Sequence, residues 1–178
     1  MADLSAAALF VGTLGLVLSA ASLTWQAATF TLSGARVRVA MRHGARNVGG
    51  IVSGLPGTQS LDLLANQGFT DEVVGASVSN VGRMAVQVSE VCAVLEGHVR
   101  ISALSGTVGP ALPHQLPPQS SESWFLPAQP VRAAVYASKA LPGGKDPCYV
   151  WVEVQLGNGK VVKSKQRLLL GSVGGLST

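Results

Sequence analysis

Residues 149–160 read Tyr-Val-Trp-Val-Glu-Val-Gln-Leu-Gly-Asn-Gly-Lys, and this stretch decides the fold class. Val150, Val152, Val154 and Leu156 fall on one side of an extended chain, and Tyr149, Trp151, Glu153 and Gln155 fall on the other. A period of two is the mark of a half-buried strand. Gly157-Asn158-Gly159-Lys160 follows, and Asn-Gly tolerates the positive φ angles of a tight hairpin turn. The chain then returns from Val161 to Leu170, with Lys160, Lys163, Lys165 and Arg167 on or near one exposed face.

Working outward, the same alternation recurs. Val74, Ala76 and Val78 predict one strand, and Val86, Val88, Val91 and Val94 predict another. The turn residues Asn80-Val81-Gly82-Arg83 between them read as a hairpin. Val99 to Leu104 reads as a further short strand, and Trp124-Phe125-Leu126 and Val131 to Tyr136 as extended chain. Gly109 to Pro118 holds four prolines, which excludes it from a central strand. Toward the N-terminus, Arg36-Val37-Arg38-Val39-Ala40-Met41-Arg42 alternates basic with apolar residues. Ala45 to Gly57 is rich in glycine and small residues and reads as loop. Ser60 is the expected N-cap of a short helix, Leu61 to Asn66, with Leu61, Leu64 and Ala65 as its apolar stripe and Gly68 as its stop. Six or seven short strands separated by turns make a mainly β domain, an antiparallel β-sandwich.

Val78-Ser79-Asn80-Val81-Gly82-Arg83 followed by Val86-Gln87-Val88 resembles the hairpin of bacterial immunoglobulin-like modules. Leu116-Pro117-Pro118-Gln119-Ser120-Ser121-Glu122-Ser123-Trp124-Phe125 is similar to the start of a later strand in those modules, with Gln119 where they usually carry glycine. The whole layout resembles uncharacterised actinobacterial and actinophage proteins that join one N-terminal span to one such module. The resemblance implies an immunoglobulin-like fold. It implies no activity and no catalytic residues.

The span itself is legible from charge. Asp3 is the last charged residue before Arg36, and Ala6 to Leu32 is a 27-residue apolar run. As a helix it would extend ~40 Å, against a hydrocarbon core of ~30 Å. Trp25 and Phe30 lie toward its C-terminal end, where aromatic rings favour the headgroup layer. Gly12, Gly15, Ser19, Ala20 and Ser22 are small enough to admit a homo-oligomer through the span, or are ordinary composition for such a helix. The run is about twice the length of a signal-peptide core and lacks a positive leader, so an uncleaved anchor is expected. The expected division is a transmembrane helix over 1–34, a β-sandwich domain over 35–171 and a flexible tail over 172–178.

Arg36, Arg38, Arg42 and Arg46 follow the span and no basic residue precedes it. The positive-inside rule then places the domain in the cytoplasm of a single-pass membrane protein. The same four arginines are candidates for contact with an anionic lipid surface, and otherwise only set topology. Cys92 and Cys148 pair if the domain is exported, or stay reduced and buried if it is cytoplasmic.

The net charge of +4 and 5% aromatic content do not form the dense basic, aromatic-rich surface of a nucleic-acid binder, so the expected partners are the bilayer and a protein. His43, His98 and His114 lack metal-ligand spacing. No G-x-S-x-G elbow or phosphate loop occurs, and no cofactor is implied. Tyr149, Trp151, Lys163 and Lys165 are candidates for partner binding, since exposed aromatics on a sheet face anchor partners. The sequence therefore predicts a non-enzymatic, membrane-tethered interaction module. A structural accessory subunit of a membrane or envelope assembly is the alternative, or, in a phage, a membrane protein that interferes with infection.

Overall fold

A computed structural model describes residues 2–58, 60–97, 99–102, 106–138 and 148–171, and within the first helix the side chains of residues 8–29. His98 and the 172–178 tail lie outside the described residues.

Helix α1 (Ala2–Ser33) is continuous. It contains neither proline nor, after Asp3, any charge, and its apolar residues are spread around every face. Among the described residues nothing covers it: Leu9, Phe10, Leu16, Leu18 and Trp25 are all more than 60% exposed. The stretch Ala8–Thr29 is long and apolar enough to cross a membrane. Its described threonines bond within the helix. The hydroxyls of Thr13, Thr24 and Thr29 donate to the carbonyls of Leu9, Ala20 and Trp25, four residues back, at 2.8–3.0 Å. Such back-bonding is the form in which a hydroxyl is tolerated in hydrocarbon.

Three residues separate the end of α1 from strand β1 (Val37–Asn47), which turns back into β2 (Gly50–Gly54). This hairpin replaces the loop expected over Ala45 to Gly57. Asn47 Oδ1 accepts the N–H groups of Gly49 (2.8 Å) and Gly50 (3.0 Å), which closes the turn. Helix α2 (Leu61–Asn66) follows as expected, with the Ser60 hydroxyl accepting from Leu63 N and Gly68 at a positive φ beyond its end. It buries Leu64; Leu61 is half-buried and Ala65 exposed.

Strands β3 (Asp71–Asn80) and β4 (Val86–Leu95) form where alternation predicts them, but not as a hairpin. β3 pairs with β1, while β4 lies in a second sheet. Each strand carries an apolar face, and crossing from sheet to sheet lets those two faces enclose one core. Between Val88 and Glu90 the register of β4 slips, which brings both Val88 and Val91 to the core side.

Short strands β5 (Arg100–Ser102) and β6 (His114–Leu116) pair with opposite ends of β4, and β7 (Ser121–Pro127) pairs with β3. Helix α3 (Ala128–Ser138) occupies the region expected to be extended. Ala128, Val131, Val135 and Ser138 are buried, and their spacing of three and four is helical. Strand β8 (Cys148–Leu156) is the strand of the opening sequence, with Val150, Val152 and Val154 wholly buried. β9 (Val161–Lys163) and β10 (Leu168–Leu170) are two pieces of its returning partner.

The result is two antiparallel sheets, β2-β1-β3-β7 and β10-β8-β4-β5, with β6 also on β4 and β9 also on β8. Met41, Val74, Ala76, Val78 and Trp124 of the first sheet meet Val88, Val91, Leu95, Val150 and Val152 of the second in a single core, which α3 closes at one end. No disulfide joins Cys92 to Cys148, which corrects the pairing that export would have allowed. Cys148 faces the core. Cys92 faces the opposite side of the second sheet, opposite Glu153, five residues along β8 from Cys148.

Candidate functional site

The α1–β1 junction is tied down by residues far away in sequence. Val81 N donates to the Arg36 carbonyl (2.8 Å). A Cβ placed on Gly82 would stand 2.4 Å from the Gly34 carbonyl oxygen and 2.5 Å from Arg36 N, so only glycine permits this backbone-to-backbone contact. Asn80, wholly buried, shapes the loop. Its Nδ2 donates to the carbonyls of Met84, Leu116 and Pro117, and its Oδ1 accepts from Gly82 N.

Beside this junction lies an open groove. β2 pairs only with the upper half of β1, His43 to Asn47, so the lower half is a bare sheet edge. The interruption between β9 and β10 crosses to that edge, and the Gln166 side chain accepts from Met41 N there (3.3 Å). Two adjoining hollows of ≈ 500 and ≈ 690 Å³ share Val37, Arg38, Val81 and Val162 as walls. Arg36 and Lys160 line the first, Lys163 and Lys165 the second, and no acidic residue lines either. Lys163 turns its Nζ to Glu153 (3.1 Å). Arg38, Lys160 and Lys165 are exposed and make no ion pair among the described residues.

The four predicted arginines are thus separated. Arg36 and Arg38 belong to the groove. Arg42 is half-buried further along β1, and Arg46 lies at the far end, bound to Asp71 (3.4 Å) and the Gly106 carbonyl (3.1 Å).

The predicted partner-binding residues occupy the outer face of the second sheet. Tyr149 is 45% exposed beside an exposed Leu169, and the Arg167 guanidinium lies 5.5 Å from the Trp151 ring centre. Lys165 is not with them but in the groove. The centre of this face is Glu153, buried although charged. Trp151 Nε1 donates to it (3.0 Å), Lys163 joins it, and Arg100 stands 4.0 Å away. Burial pushes its carboxyl up, and the hydrogen bonds from Trp151 and Lys163 outweigh this and hold it below the usual range. Cys92 lies under the same network, with Arg100 Nη2 at 3.3 Å from its sulfur, and burial raises its thiol pKa. A raised thiol pKa is that of an inert, buried cysteine. Trp151→Phe keeps an aromatic side chain but removes the five-membered ring with its N–H, so Glu153 loses a donor and the sheet face some apolar cover; a loss of about 1–2 kcal/mol is expected in urea unfolding of the full chain in detergent.

A third cluster closes the end of the core. Glu72 accepts from His43 Nε2 (2.8 Å) and from Arg132 Nε and Nη2 (2.7 and 2.8 Å), while Arg132 Nη1 donates to the Gly171 carbonyl. Burial raises the Glu72 pKa, but these bonds and the Arg132 charge bring it down to about 2. A carboxylate so firmly ionised, with both oxygens occupied, is a clamp between α3 and the first sheet rather than a proton donor. His114 packs edge-on against Trp124, with ring centres 5.8 Å apart. No group of three potential metal ligands forms among the described residues. Glu72 and Arg132 escaped sequence reasoning because their partners lie on other elements, and Glu153 because Lys163 and Arg100 reach it from other strands; Asn80-x-Gly82 was visible, but only as a turn.

No protein-family model and no curated protein matches this chain.

Proposed function

We propose that the chain is a membrane-tethered, non-enzymatic interaction module: an immunoglobulin-like sandwich held at the cytoplasmic face of a bilayer by α1. The observation that carries this reading is the bare apolar helix locked to a packed domain. An uncovered helix that is apolar on all sides has no stable place in water. The contact of Gly82 with Gly34 to Arg36 packs the segment directly after the helix into the domain, and an apolar run about twice the length of a signal-peptide core favours an anchor retained in the mature chain. The arginines after the span support the cytoplasmic side. The exposed aromatic and basic face around Tyr149, Trp151 and Lys163 is the surface offered to a protein partner.

Alkaline carbonate extraction and thiol labelling test this. Val48, fully exposed at the tip of the β1–β2 turn, is changed to Cys in a Cys92→Ala, Cys148→Ala background. The full chain is expected to stay in the membrane pellet and to react with an impermeant maleimide only after cell lysis. Release by carbonate would remove the anchor, and labelling of intact cells would put the domain outside.

A further inference from the structure

We propose that the groove between the lower half of β1 and β9 binds the phosphate headgroup of an acidic phospholipid in the leaflet from which α1 emerges. The inference deepens the reading of α1 as a membrane span and rests on it.

Position is the first argument. The uncharged apolar run ends at Leu32 and the helix at Ser33, so the edge of the hydrocarbon lies near the end of the helix. A headgroup layer is roughly 5–8 Å thick on each side of the hydrocarbon. Arg36, three residues beyond Ser33, is within ~10 Å of that edge even in fully extended chain, which puts it at the level of the headgroups. The Val81–Gly82 contacts hold the groove wall at this level instead of leaving it on a loose tether. Chemistry is the second. Arg38 lines both hollows, Lys160 the first and Lys165 the second, none of the three with an ion pair among the described residues, and Arg36 also lines the first. A guanidinium matches phosphate oxygens in a fork, and the lysines add point charges. Val37, Val81 and Val162 line the shared floor and suit the glycerol and first methylenes of a lipid better than a fully hydrated ion.

The test uses the full chain extracted in mild detergent. Retained phosphatidylglycerol and phosphatidylcholine are counted by native mass spectrometry for the wild type, for Arg38→Gln/Lys165→Gln, and for Arg42→Gln/Arg167→Gln, which removes the same charge outside the groove. The wild type and the second variant are expected to prefer phosphatidylglycerol, and the groove variant to lose on the order of tenfold in that preference. Equal preference in all three, or equal loss in both variants, overturns the assignment. Displacement by millimolar glycerol phosphate, with no effect of lipid type, would mean a site for a soluble anion and overturns it as well. Carbonate extraction separates the two readings: release from membranes sinks the span itself, whereas retention without lipid preference sinks only the groove.

Discussion

Asn80→Asp is expected to lower the thermal midpoint of the full chain in detergent by roughly 10 °C, although it exchanges only an amide for a carboxyl group. The side chains are nearly the same shape, so no cavity is made. Asn80 Nδ2 donates at 2.8 Å to Met84, 3.1 Å to Pro117 and 3.3 Å to Leu116 carbonyls, in a place with no solvent access. An aspartate has no N–H to give. It sets an oxygen against three carbonyl oxygens and must either stay charged without water or take up a proton, and each unsatisfied buried group costs ~1–3 kcal/mol. A total of about 3–4 kcal/mol corresponds to roughly 10 °C in a domain of this size. The damage spreads to the helix junction, because Asn80 Oδ1 also positions Gly82 against Gly34 and Arg36. Ser79→Ala, which removes only an exposed hydroxyl pair with Ser121 (3.0 Å), should stay within about 0.5 kcal/mol of wild type. Circular dichroism melts decide; a midpoint for Asn80→Asp as high as that of Ser79→Ala would show that the corner is held by something else.

What was legible follows from what periodicity encodes. Alternation reports which side of a strand is apolar: Val150, Val152 and Val154 share one side in the sequence, and that side is wholly buried. It does not report the strand's partner. β3 and β4 have the pattern and the intervening turn residues of a hairpin, yet they sit in different sheets, and Asn80 at the corner is read as a turn residue in either arrangement. β2 stayed hidden because Gly50–Gly54 is a half-buried edge strand with only Ile51 and Val52 as large apolar residues. α3 was misread because Val131 to Tyr136 is too short a window. The helical spacing appears only when Ala128 and Ser138 are included. The uncharged run of α1 and the Ser60 cap of α2 were legible because both are local signals. The groove was half legible: Arg36 and Arg38 stand next to the span in sequence, but their meeting with Lys160 and Lys165 depends on β9 returning beside β1.

Acid should expose the Glu72 clamp. The folded-state pKa of about 2 lies below the ordinary carboxyl value of 4.5, so the clamp's stability is fully present above about pH 4.5. It is lost as the pH falls from there through about 2, where the folded state finally takes up the proton that the unfolded chain already holds. A shift of this size corresponds to at most about 3.5 kcal/mol, and partial solvent access reduces this to about 2. Glu72→Gln should cost about 2–3 kcal/mol at neutral pH, since it leaves the half-buried Arg132 guanidinium without its countercharge. Other carboxyls also titrate in acid, Glu153 among them, so neither curve alone is diagnostic. The difference between the two is, because it cancels those shared contributions. Urea midpoints of wild type and Glu72→Gln should lie far apart at pH 6 and converge as the pH approaches 2. A gap that stayed constant across that window would mean that the glutamine harms packing by its shape. The ion pair joining α3 to the first sheet would then contribute nothing that depends on its charge.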